Sequence, residues 1–257
     1  MVDHGGTSAV NSAANMLGRP LPGGILLVAD HASAHVPKDI NLGIAPALLQ
    51  DHIAVDRGVA AVATLLVGRG AVDAAWLGAV SRLVVDCNRD VHAPGIIPIA
   101  SDGHAIPGNL LDHDAHEQRL ARYYHPYHEG LASLIAECRP SMILSLHSFT
   151  SKLASHPDEK RPWEIGILYN EDSRLARFAI PWLSAAGWQV GDQQPYSGRL
   201  LNHTMNRHAE GNGIPYLGVE MRQDIAGVPA GAVRFADTLA PLLQECLAQV
   251  TAVGSTR

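Results

Sequence analysis

The chain has 257 residues, 47% of them hydrophobic and 17% charged, and a net charge of -6. That composition suits a globular protein with enough length for a sizeable core and excludes a disordered chain. The acidic balance, without any dense Lys/Arg cluster, argues against a nucleic-acid surface, and no apolar run reaches membrane-spanning length.

Residues 1–23 contain Gly, Ser, Asn and Ala but no continuous apolar core and no basic start. We expect a loose arm there, not a signal peptide or membrane anchor, followed by one domain over residues 24–257. The cysteines Cys87, Cys138 and Cys246 are far apart and form no CxxC pair, so they read as reduced thiols of a cytoplasmic protein.

The first strong signal is Ile25-Leu26-Leu27-Val28, an apolar run of the kind expected for a strand buried on both faces. It stops abruptly on Asp30, His31, Ser33 and His35, and Pro37 opens a loop. From Pro46 to about Gly68 the apolar residues have helical spacing, which would put His52 and Asp56 on one helix face. Val72 to Val85 reads as two short strands, the second ending on Asp86-Cys87-Asn88-Arg89-Asp90. The Pro/Gly/His-rich segment from His92 to His113 is a long loop of the kind that covers or lines a site.

Asp112 or Asp114 can cap a helix running to about Cys138, which Pro126 should kink or split. Met142 to His147 is a second buried run ending on histidine, followed by Ser148 and a polar loop. A strand from Glu164 to Tyr169, a helix after Asp172 and a strand at Trp188 to Val190 come next. A turn-rich QQPYSG and a short helix from His203 to Glu210 follow. Ile214 to Glu220 is a strand ending on Glu220, Arg222, Gln223 and Asp224, and a last helix spans about Ala232 to Val250. Alternating strands and helices predict an α/β fold of three layers, a mostly parallel or mixed sheet with helices on both faces.

Polar groups at the ends of several strands can converge on one sheet edge, where open α/β folds place their ligand sites. Two apolar runs that each end on histidine point to a shared metal site, with His31 and His147 as ligands. HxxxH spacing links His31 and His35, but Ala32 replaces the glutamate of HExxH and Pro37 prevents a long helix, so that metalloprotease motif is rejected. Asp56 is the candidate third ligand, because a carboxylate within an apolar helix needs a partner; the alternative is an ion pair with Arg57 or Arg82. Glu220 follows the apolar Tyr216-Leu217-Gly218-Val219, which would raise its pKa toward that of a working base; the alternative is a salt bridge to Arg222. Arg89 with Asn88 can clamp a carboxylate, or brace its loop through Asp86 or Asp90, and Arg82 can do either. A serine-hydrolase reading of Ser148 fails for want of a GxSxG elbow.

The pieces DHASAHVP, HIAVDRG, SRLVVDCNRD, YYHPYH, LSLHSFT, GILYN, PYSG and VEMRQD, in this order, resemble the N-formylglutamate amidohydrolase family. They run from about residue 27 to 224. The resemblance implies zinc-dependent hydrolysis of N-formyl-L-glutamate to formate and glutamate in histidine degradation. It also implies a phosphorylase/hydrolase-like fold related to zinc carboxypeptidases and aspartoacylases. Those relatives use an HxxE ligand pair, an Asn-Arg pair for the substrate carboxylate, a later His-Ser segment and a glutamate base. Asn88-Arg89, His147-Ser148 and Glu220 fit those roles. Ala34 stands where the HxxE glutamate would be, so the second ligand must come from elsewhere, and Asp56 takes that place.

The expected site is therefore one Zn2+ held by His31, Asp56 and His147, with Glu220 as base. Arg82, Asn88, Arg89, Ser148 and Arg222 are the candidate substrate-binding residues. The expected partner is a small anionic N-acyl amino acid, with no nucleic acid and no membrane. Hydrolysis of another N-acyl amino acid or small peptide, or metal-free binding of an anionic metabolite, are the rival readings.

Overall fold

The structure, a computed structural model, describes residues 13–254. Two strands come first, β1 (Ala14–Gly18) and β2 (Ile25–Ala29), followed by helix α1 (Val59–Gly68) and strand β3 (Ala74–Gly78). A two-stranded hairpin, β4 (Ala100–Ser101) and β5 (His104–Ala105), precedes helices α2 (His113–Arg119) and α3 (His125–Cys138). Strands β6 (Met142–Phe149) and β7 (Ile165–Leu168) lead into α4 (Arg174–Ala185), β8 (Val190–Asp192) and α5 (His203–His208). The chain closes with β9 (Tyr216–Arg222), a single turn α6 (Gln223–Ala226) and the long α7 (Pro229–Gly254).

Seven strands form one mixed sheet in the order β1-β3-β2-β6-β9-β7-β8. The central β3, β2, β6 and β9 run parallel, whereas β1 and the β7–β8 pair are reversed against their neighbours. Strand parity divides the interior into two cores. Ile25, Leu27, Leu144, Leu217 and Val219 pack on one face against Val62 and Leu66 of α1, Leu183 of α4 and Phe235 and Leu239 of α7. Leu26, Val28, Ile143 and Tyr216 pack on the other face against Tyr127 and Leu131 of α3 and Met205 of α5. This is the three-layer α/β arrangement expected from the alternating pattern. Emptying either core at a large side chain, Leu27 or Tyr127 for example, removes contacts that typically hold about 2–5 kcal/mol.

Three local expectations are corrected, and a fourth, the interruption of the helix near Pro126, is met. Ala14–Gly18, placed in a loose arm, is instead an edge strand paired antiparallel to β3; the rest of that arm, residues 1–12, lies outside the described residues. The helix expected from Pro46 is a 3-10 turn over Pro46–Gln50, and α1 begins only at Val59. Gly58 separates them at φ 90, and a Cβ there would stand 2.3 Å from the Ala226 carbonyl oxygen. Only glycine turns the chain so tightly against α6, so Asp56 sits in a buried turn and not on a helix face. Ser81–Val85 is a run of turns rather than a strand, although Leu83, Val84 and Val85 are buried. The helix ending at Cys138 is split by a π turn over Leu120–Tyr124, immediately before Pro126, and Asp112 caps its start by accepting from Ala115 N. Among the described residues no helix is long and apolar enough to cross a membrane.

Candidate active site

The carboxyl ends of β2, β6 and β9 lie side by side, and the register of β6 with β9 sets His147 directly opposite Glu220. His31 follows β2 by two residues, bringing its ring to 5.1 Å from that of His147, centroid to centroid. Asp56 enters from the turn before α1, its backbone N–H donating to the His31 carbonyl at 3.0 Å. One oxygen of its carboxylate, Oδ2, then lies 3.4 Å from His31 Nδ1 and 3.0 Å from His147 Nδ1. Ligand atoms of His31, Asp56 and His147 all fall within 4.8 Å of one another, and all three residues are buried.

Behind the triad each imidazole meets a second carboxylate. His31 Nε2 is 2.7 Å from Asp86 Oδ1, and His147 Nε2 is 3.3 Å from Asp30 Oδ2. Against burial, these carboxylates raise the pKa of both imidazoles; a cation displacing the Nδ1 protons would leave the Nε2 protons on Asp86 and Asp30 and both Nδ1 lone pairs for itself. His31 Nδ1 has no hydrogen-bond partner although it is buried. Two imidazoles, neutral once those protons leave, and a carboxylate around an orphaned nitrogen fit a zinc ion.

Burial would push the carboxyls up, but here their neighbours win. Burial opposes ionisation of Asp56, yet the His31 charge, the His147 and His31 hydrogen bonds and Arg82 hold it well below the usual range. Asp86 is held low against burial by Arg82 and His31, and Asp30 falls to about 2 through His147, His31 and Thr204. Glu220 behaves oppositely: burial dominates and pushes it up to about 7, with His147 only partly offsetting the effect. Its Oε2 is buried without a hydrogen-bond partner. A carboxylate poised near neutrality with a free oxygen is chemically able to accept a proton.

Asp86 also organises the cationic wall. It accepts from Arg82 Nη2 at 2.8 Å, lies 3.6 Å from Arg89 Nε and accepts from Asn88 N at 3.0 Å. Arg82 reaches Asp56 as well, with Nη1 3.4 Å from Oδ1. Arg82 therefore takes the ion-pair partner role weighed for Asp56, and Arg57 does not. The Arg89 carbonyl is fixed by the Tyr124 hydroxyl at 2.9 Å, so its loop is braced from α3's side of the sheet.

His31, Asp56, His147, Glu220, Arg82, Asn88, Arg89 and Ser148 line one cavity of about 380 Å³. Asn88 spends its Oδ1 on Thr204 N at 3.0 Å, which caps the start of α5 and leaves its amide nitrogen for other partners. Arg222 does not join them. It pairs with Asp224 at 2.8 Å and donates to the Pro162 carbonyl, so the salt bridge to Glu220 weighed above does not form. His52 turns to Asp51 and Asp102 and shares no face with Asp56.

Asp30, Asp86, Tyr196 and Asp102 escaped the list of site residues read from the sequence. Asp30 and Asp86 each end a buried apolar run, a signal as strong as that of His31. Asp102, at φ 42, accepts from Ala154 N, Ser155 N and Ser155 Oγ, tying the β4–β5 hairpin to the loop after β6 above the cavity. Its role depends on two loops meeting, which no local pattern announces.

A family model described as N-formylglutamate amidohydrolase matches residues 23–226. The crystal structure of a gene product from Agrobacterium tumefaciens is similar with a TM-score of 0.86 and 31% identity, over 93% of this chain and 96% of that one. That of an N-formylglutamate amidohydrolase from Ralstonia eutropha shares the fold, with a TM-score of 0.71 and 17% identity over 94% and 99% of the two chains. A comparison with curated proteins gave no match.

Proposed function

Because the chain belongs to the N-formylglutamate amidohydrolase family, we propose that it hydrolyses N-formyl-L-glutamate to formate and L-glutamate, as a zinc enzyme of histidine degradation in the cytoplasm. The observation that carries this reading is the buried, unpartnered Glu220 directly across the strand register from His147 of the His31, Asp56, His147 triad. Those three residues would hold the ion. When bound, it supplies Lewis acidity, polarising a carbonyl and making water a nucleophile near neutral pH.

The chain's own residues account for the proton and the binding. Glu220, ionised in an appreciable fraction near pH 7, takes a proton from the attacking water and returns it to the amine that leaves. The hydroxyl oxygen bonds to the formyl carbon as the C–N bond breaks, giving formate and the free amino group. Arg82, held by Asp86 and Asp56 beside the triad, offers positive charge where negative charge gathers on the carbonyl oxygen. Arg89, with its side chain 37% exposed, faces the cavity mouth and takes a substrate carboxylate, with Asn88 and Ser148 beside it.

The test is metal content of the purified protein together with formate release from N-formyl-L-glutamate, before and after chelation. We expect about one zinc per chain and chelator-sensitive release. Glu220→Gln should keep the zinc and lose about 10²-fold or more in kcat. Zinc without formate release, but with turnover of N-acetyl-glutamate or N-acetyl-aspartate, moves the substrate to another acyl amino acid. Carboxylate binding that ignores the chelator, with no turnover, replaces the enzyme by a binding protein.

A further inference from the structure

Tyr196 lines the same cavity as the triad and Glu220, yet nothing above gives it a task. Its hydroxyl oxygen accepts from Arg161 Nη1 at 3.0 Å, and the Arg161 guanidinium lies 5.1 Å from the ring centroid. Arg161 is itself fixed: its side chain is 3% exposed, its Nε donates to Glu159 at 2.7 Å and Nη1 reaches the Thr150 carbonyl at 3.4 Å. A guanidinium only donates, so the phenol must spend its own hydrogen elsewhere. Among the described residues no acceptor takes it. An anchored oxygen with an uncommitted proton is a hydrogen-bond donor held ready for a ligand.

The position of that donor follows from the strand beside the base: Gly166 is the register partner of Glu220, and a Cβ on it would stand 2.2 Å from the Gln194 carbonyl oxygen and 3.3 Å from the Glu220 Cβ. After burial, the Glu220 carboxylate is the strongest influence on the phenol, followed by Arg161 and Arg82. Tyr196 thus stands beside the base and the inner arginine. Gln194 stands two residues before Tyr196, so the loop that carries the phenol enters the cavity from the Glu220 side, at the reacting end of the substrate.

We propose that Tyr196 is a catalytic residue of this site, donating its phenolic hydrogen to the oxygen of the scissile carbonyl as negative charge builds there. This rests on the amide-hydrolase reading given above. Arg161 acts through Tyr196 as a positioning residue. Donating to the phenol oxygen, it fixes the direction of the O–H and strengthens it as a donor. Tyr196 is half-buried, and that shelter from water adds to what such a bond contributes when the charge appears.

The test is Tyr196→Phe in the zinc-loaded protein, which keeps the ring and its contact with Arg161, with melting used to verify the fold. Formate release is measured against N-formyl-L-glutamate concentration, and L-glutamate affinity is measured by calorimetry. Glutamate has the carboxylates but lacks the formyl oxygen. The expected result is a kcat lower by tenfold to about 10²-fold, with KM and the glutamate Kd each within about twofold of the wild type. A kcat reduced less than tenfold overturns the assignment. So does weakened glutamate binding, which would put the hydroxyl on a carboxylate. Absence of turnover in the wild-type protein would instead sink the underlying reading, and the two failures are therefore distinguishable.

Discussion

Asp30→Asn isolates what the buried carboxylates behind the triad contribute. The Asp30 side chain has no exposure, and its Oδ1 accepts from the Tyr127 hydroxyl at 2.8 Å and the Thr204 hydroxyl at 2.7 Å. An asparagine oxygen can keep those two bonds. Its NH2 group must then face His147 Nε2, which lies 3.3 Å from Asp30 Oδ2 and would carry the proton of the metal-binding tautomer. Two donors cannot face each other, so the imidazole shifts its proton to Nδ1, the atom turned toward Asp56 and the metal position. Loss of such a supporting contact typically lowers metal affinity by about 10–100-fold. The metal-free protein should suffer as well. Despite opposing burial, His147, His31 and Thr204 hold the Asp30 pKa at about 2, against an ordinary value of 3.8. That difference corresponds to about 2 kcal/mol of stability, present above pH 4 and lost as pH falls through about 2. For a chain of this size the melting temperature should fall by about 4–8 °C. Chelator-competition titration with zinc and calorimetric melting of the metal-free variant measure both effects. A zinc affinity within about threefold of the wild type would refute the tautomer argument, whatever happened to the melting temperature.

Arg89→Ala should raise KM for the formylated substrate by about 10–100-fold, the worth of a charged hydrogen bond, and leave kcat near the wild-type value. An unchanged KM would mean that Arg89 only braces its loop. Acid should destabilise the protein through a histidine pair that packs behind the Asp86–Arg89 loop, where His128 Nε2 lies 3.0 Å from the Cys87 carbonyl oxygen. Burial pushes the His128 imidazole down to about 3 and that of His208 down to about 4, in a pair bonded at 2.9 Å. Both are neutral in the folded state and bind protons when unfolded, so stability is lost as pH falls from about 6.5 toward 4 and then 3. Melting curves between pH 7 and 4 should therefore slope steeply in the wild type and less so in His208→Gln. Equal slopes would show that other groups carry the acid response.

How much of this was legible depended on whether the signal was local. Strands β2, β6 and β9 are continuous apolar runs ending on titratable residues, so His31, His147 and Glu220 could be read from hydrophobicity alone. Asp56 was chosen for a reason that proved wrong, a helix that is really a turn, because Val59 to Leu66 extends its periodicity backward past Gly58. The glycine at φ 90 was the available clue. Ser81–Val85 looked like a strand because it is buried, although it buries itself as turns. The split before Pro126 was expected from proline's missing N–H and its ring, and the π turn over Leu120–Tyr124 accommodates it. Arg222 shares a strand with Glu220, and proximity in sequence suggested a common task. Asp224, two residues on, captures it first. Asp30 and Asp86 were visible but undervalued, since a residue that orients a ligand carries the same signature as one that binds.

Thr204 shows what this architecture implies beyond catalysis. Its hydroxyl donates to Asp30 at 2.7 Å and lies 3.2 Å from the Cys87 carbonyl, while its N–H holds Asn88. One residue therefore joins the carboxylate beside His147 Nε2 to the loop that carries Arg89. Any adjustment of Asp30 when a cation loads is felt at that loop, and any adjustment of the loop when an anion arrives is felt at Asp30. Under the proposed function cation and anion become linked ligands of one joint, and the factor by which each alters the other's affinity must be the same in both directions.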